Sequence, residues 1–145
     1  MKRFLRCVSM ILLAVMVLHT SAAAAMPDFG ADAEPMASTN IRETHAQVEV
    51  SSGYFVTVHF TINATGVMDE LGAHMIRVQR SVDGVNWEIC ETYYEWDYPH
   101  IMGSGVSSYS SNITYLGEAG YQYRAFISYR AKNSTDTSTA MGYAY

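Results

Sequence analysis

The sequence holds only two cysteines, and one of them, Cys7, lies in an N-terminal segment expected to be removed. Cys90 then stands alone, which excludes an internal disulfide framework and any zinc site built on several cysteines. Cations are scarce too: nine Lys and Arg against fourteen Asp and Glu give a net charge of −5. Such a chain repels a phosphate backbone, so nucleic acid is not an expected partner. Beyond the N-terminal segment no apolar run approaches the roughly 20 residues of a membrane helix, so the mature chain is expected to lack a span. No stretch shows the helical apolar period and nothing repeats, which removes helical bundles, propellers and solenoids.

What is present begins with a leader. Lys2, Arg3 and Arg6 form a basic head, Cys7 to His19 is nearly unbroken apolar sequence, and Ser21 to Ala25 are small. That order is a secretory signal peptide, residues 1–25, and it implies a secreted, extracellular protein. Cleavage takes three of the basic residues and none of the acids, leaving the mature chain more acidic. Residues 26–43, rich in acids and carrying Pro27 and Pro35, read as a disordered leader. The domain is expected over 44–145, enough chain for one core.

From Ile41 onward the apolar period is two, the signature of half-buried strands. Ala46, Val48 and Val50 alternate with polar residues, Ser51 to Gly53 turn the chain, and Val56, Val58, Phe60 and Ile62 alternate again. A loop is expected over 64–73, a strand from His74 to Ser81, and a tight turn at Asp83-Gly84. Trp87 to Glu95 returns, Trp96 to Gly105 reads as a loop, and strands follow at Tyr109, Tyr121 to Tyr129 and Thr137 to Tyr145. About seven strands at this spacing predict an all-β, seven-strand antiparallel sandwich. Its expected core is Val48, Val56, Val58, Phe60, Ile76, Val78, Trp87, Ile113, Tyr123, Ala125 and Ile127.

Two segments carry a resemblance. Ile76 to Trp87 resembles the middle hairpin of fibronectin type III-like and other immunoglobulin-like sandwiches. Leu116-Gly117-Glu118-Ala119-Gly120-Tyr121 resembles their entry into the sixth strand. Leu116 stands one residue closer to the tyrosine than in the usual pattern, and Glu118 replaces the corner proline. The resemblance implies that the Tyr121 hydroxyl binds backbone a few residues upstream and fixes the corner. A signal peptide followed by one tyrosine-rich sandwich is also similar to small uncharacterised secreted proteins of Gram-positive bacteria. Neither likeness implies a function.

Chemistry-bearing patterns are sparse. His45, His59, His74 and His100 lack metal-ligand spacing, and no Gly-x-Ser-x-Gly elbow occurs. Cys90 lies mid-strand, where a buried or half-buried thiol is expected. Ser81 to Trp87 approximates the Asp-box of sialidase propellers but is one residue short. It is better read as a turn. Glu91, Glu95 and Asp97 are the candidate carboxylates of a hydrolase, for which a small sandwich offers little cleft. Three Asn-x-Thr sequons, at Asn63, Asn112 and Asn133, accept glycans only in a eukaryotic secretory pathway. No enzyme and no cofactor is expected.

The most informative cluster is Tyr93-Tyr94-Glu95-Trp96-Asp97-Tyr98. Adjacent strand residues point to opposite faces, so Tyr93 and Tyr94 cannot share one core. The candidate binding residues are therefore Tyr93, Tyr94, Trp96, Asp97 and Tyr98. Exposed Tyr and Trp anchor protein interfaces, self-association included, and they also stack on sugar rings. The expectation is a non-catalytic module for protein interaction or adhesion, with carbohydrate binding as the alternative.

Overall fold

The computed structural model describes residues 39–145. The expected signal peptide and most of the expected leader lie outside the described residues. Eight strands follow: β1 (Ile41–Val50), β2 (Phe55–Met68), β3 (Glu70–Ser81), β4 (Glu88–Tyr94), β5 (Met102–Gly103), β6 (Val106–Leu116), β7 (Gln122–Lys132) and β8 (Thr137–Ala144). A 3-10 turn, Pro99–Ile101, precedes β5. The strands build two antiparallel sheets, β1-β2-β6 and β4-β3-β7-β8, with β5 added to β3. The fold is all-β and its layers are those of a sandwich.

Alternation sets which side chains fill the space between the sheets. β7 buries Tyr123, Ala125, Ile127, Tyr129 and Ala131, and β2 answers with Val56, Val58, Phe60 and Ile62. Phe60 meets Tyr129 edge-on across the layers, ring centroids 6.1 Å apart. An aromatic pair of this geometry adds about 1 kcal/mol beyond its buried area.

Several expectations change. Seven strands become eight because β5, two residues long, pairs with Leu71 and Gly72. Gly72 is required there: a Cβ would run into the Ile101 carbonyl and come within 2.8 Å of Met102 Cα. The loop expected over 64–73 is extended chain, with Asp69 alone between β2 and β3. Ala64, Met68, Leu71 and Ala73 are all buried, and Glu70 is held by Arg130 and Lys132, so residues that read as polar loop have strand partners. β1 starts at Ile41, inside the segment expected to be leader. Ile41 is buried, and the Asn40 N–H donates to Ser138 Oγ at 3.3 Å.

Val48 and Trp87 do not join the buried set. Val48 is half-buried beside the core. Trp87 lies just before β4, half-buried, its indole N–H donating to the Gly84 carbonyl at 3.1 Å. The Asp83 turn explains that placement. Its carboxylate accepts the N–H groups of Val85 and Asn86 and the Asn86 amide, so the chain coils tightly before Trp87 emerges. Those hydrogen bonds, the backbone pair first, hold the carboxyl well below the usual range.

The corner hydroxyl is that of Tyr123, not Tyr121. Tyr123 Oη accepts the Glu118 N–H at 2.6 Å and donates to the Glu118 carbonyl at 3.2 Å. Tyr121 lies under Arg80, whose guanidinium carbon is 4.4 Å from the ring centroid. Arg80 also pairs with Glu88 at 2.6 Å and Glu118 at 2.8 Å.

β1 and β8 belong to different sheets yet run side by side in parallel. Asn40 meets Ser138 near their starts, and the Val48 N–H donates to the Tyr145 carbonyl at 3.2 Å near their ends. Between these pins lies a cleft of about 520 Å³ lined by His45, Gln47, His59, Tyr143 and Tyr145.

Candidate functional site

The aromatic cluster occupies the end of β4 and the turn that follows. The Tyr94 carbonyl accepts the N–H groups of both Asp97 (3.1 Å) and Tyr98 (2.9 Å), which folds Glu95 to Asp97 into a tight turn. Pro99 then opens the 3-10 turn with its preset φ. Ile101 plugs that turn into the core, and the His100 carbonyl accepts Tyr109 Oη at 2.7 Å and Ser111 Oγ at 2.8 Å. The segment is thus tied to β6 of the opposite sheet.

The five candidate residues split between two faces. Tyr93 points inward, 7% exposed, and Tyr98 leans edge-on against its ring at 4.8 Å. Burial pushes the Tyr93 phenol up to about 12. Tyr94 points outward and stacks on Trp96, centroids 4.3 Å apart and planes 11° from parallel. Trp96 remains 63% exposed. Asp97 is exposed and forms no ion pair among the described residues.

His74 completes the outward group, and nothing in the sequence marked it. A register shift between Ala73 and Met75 makes it the bulged residue of β3, and a bulge re-aims its side chain. Its ring meets Trp96 edge-on at 5.9 Å. His74 Nδ1 is 3.3 Å from Glu95 Oε2 and 3.3 Å from Arg130 Nη1. The Arg130 guanidinium can donate to that nitrogen, while Glu95 Oε2 is buried without a hydrogen-bond partner among the described residues. Arg130 also pairs with Glu95 Oε1 and, at 2.7 Å, with Glu70. The Lys132 hydrogen bond, aided by Arg130, holds Glu70 below the usual carboxylate range. Glu95, a candidate hydrolytic acid in the sequence, is therefore bound up in a partly buried ion network beneath the rings. Glu91 accepts the Thr92 N–H.

A second group escaped the sequence reading. The Arg124 guanidinium lies between Trp87 and Tyr143, 4.2 and 4.7 Å from their ring centroids. Its Nε–H donates to Gln79 Oε1 at 2.8 Å. The signal was available in part, because the alternation of β7 sends Arg124, Phe126 and Arg130 to one outer face. Trp87 and Tyr143 come from other strands, and no local pattern brings them there.

Cys90 is half-buried and free, and burial pushes its thiol up. No group of three or more His, Cys, Asp or Glu converges on a metal-sized site among the described residues. No helix among them is long and apolar enough to cross a membrane. Comparison with protein-family models, curated proteins and solved structures gives no match.

Proposed function

We propose that the chain is a secreted, non-catalytic binding module of fibronectin type III type that engages a partner protein through Trp96 and Tyr94. The fold type is supported by the strand order, three strands facing four, and by the tyrosine hydroxyl that closes the β6–β7 corner. The observation that carries the function is the exposure of Trp96 despite its bracing. Tyr94 backs one indole face and His74 meets the ring edge-on, so a large aromatic surface is held in place at little further entropic cost on binding. Rigid Trp and Tyr of this kind are the usual energetic anchors of interfaces.

The test compares the mature protein with Trp96→Ala as bait for the proteins of its own extracellular medium, alongside sedimentation for self-association. The reading expects a stoichiometric partner, or a dimer, that the substitution weakens at least tenfold. Identical capture and identical sedimentation for the two proteins would remove Trp96 as the contact.

A second reading, carbohydrate binding, is favoured by the parallel stack itself, which leaves one broad indole face open as a platform for a sugar ring. A glycan array with both proteins separates the readings. Retention lost in Trp96→Ala supports the sugar, and silence across the array leaves the protein contact.

A further inference from the structure

The outer face of the β4-β3-β7-β8 sheet carries four of the six Lys and Arg among the described residues: Arg77, Arg124, Arg130 and Lys132. The two acids of that face, Glu70 and Glu95, are both spent on Arg130, Lys132 and His74. Glu88 and Glu91 of β4 stand in register with Arg80 and Val78, in the rows of the other face. Among the described residues Arg77 and Arg124 have no carboxylate partner. They are diagonal neighbours, since Arg77 pairs with Phe126 and Gln79 with Arg124. In an acidic protein, two adjacent guanidiniums unpaired on one face are a concentrated exception.

The side chains around them are built rather than loose. Trp87 and Tyr143 clamp Arg124 on both sides and Gln79 takes its Nε–H, so the two Nη groups remain as a fixed fork. Arg77 reaches the Met75 sulfur with one Nη at 3.7 Å, and its Nε is buried with no hydrogen-bond partner. A planar fork of this sort matches a carboxylate or sulfate in a bidentate way, and stacking on rings spares it the entropy of being ordered later.

We propose that this face binds an acidic polysaccharide, with Arg124 and Arg77 on its carboxylate or sulfate groups and Tyr143 and Trp87 against its sugar rings. An acidic polypeptide fits the face less well. The two arginines stand on β3 and β7, which are hydrogen-bonded on both sides, so an extended peptide lying over them has no backbone edge to pair with there. A saccharide ribbon needs no such edge, only rings to stack on and cations for its acids. The site shares the outer face with Trp96, since Met75, which Arg77 touches, stands opposite Tyr94, but it is built on different side chains.

The experiment is affinity electrophoresis of the mature protein in gels holding polygalacturonate, a neutral β-glucan or polyglutamate, over a series of salt concentrations. The expected result is retardation by polygalacturonate alone, weakening as salt rises. Arg124→Gln should lower the affinity at least tenfold and Arg77→Gln should lower it as well, while Thr114→Ala, exposed on β6 of the opposite sheet, binds as the parent does. Arg124→Lys, which keeps the charge and the fold but loses the fork, should bind at an intermediate level. Equal retardation by polyglutamate overturns the saccharide, and equal retardation by the neutral glucan overturns the role of charge. No retardation, or undiminished binding by Arg124→Gln, overturns the proposal entire.

Discussion

Tyr121 and Tyr123 differ by two positions, which in a strand means the same face and different neighbours. Only Tyr123 reaches the Glu118 backbone, with both a donor and an acceptor in use. Tyr123→Phe leaves a half-buried N–H and carbonyl unpaired and should cost about 1–3 kcal/mol in urea unfolding. Tyr121→Phe keeps the ring under Arg80 and should change stability little, and equal losses in the two variants would contradict the assignment. Asp83 offers a second check at this scale. Its folded pKa is depressed by the Asn86 and Val85 N–H groups, so its stabilising effect is complete above the unfolded value of about 3.9 and fades as pH falls through the lower folded one. The melting temperature of the parent should therefore exceed that of Asp83→Asn by most at pH 5 to 6, and the gap should narrow toward pH 2. A gap independent of pH would mean that the turn does not depend on the charge.

The element that matters most for the candidate site is the stretch from Glu95 to Gly103, and its geometry depends on Gly72. Backbone passes over Gly72 where any side chain would stand, so Gly72→Ala should lift β5 and the 3-10 turn away from β3. Overpacking of this kind costs about 1–3 kcal/mol, and the displaced turn should let the indole move. Thermal melting together with Trp fluorescence anisotropy checks both effects, and an unchanged melt would show that the turn gives way freely. This element was the least legible in the sequence. Its glycines and proline announce a loop, but the anchors at Tyr109, Ser111 and Leu71 are all on other strands. The bulge that turns His74 toward Trp96 left no trace in composition or period. The separation of Tyr93 from Tyr94, by contrast, followed from the pleat alone.

For the molecule as a whole, period-two alternation carried the reading from Ile41 to Ala144, because each sheet buries one face and the strands must declare which. Nine of the eleven expected core residues lie in the buried set. The two exceptions sit at margins, Val48 on an outer strand and Trp87 at a turn, where the pleat no longer decides orientation. The rest depends on pairings between distant strands. The parallel seam of β1 and β8 is one of these, and it gives the domain a mechanical character. The described chain enters at one end of the seam and leaves at the other, so tension between the ends drags β1 along β8 in shear. The Asn40–Ser138 contact and the Val48–Tyr145 bond share that load together instead of parting one after another. Stretched in a single-molecule force experiment, the domain should hold to a sharp yield, and Ser138→Ala should lower that yield; a gradual peel at low force would mean that the seam transmits nothing.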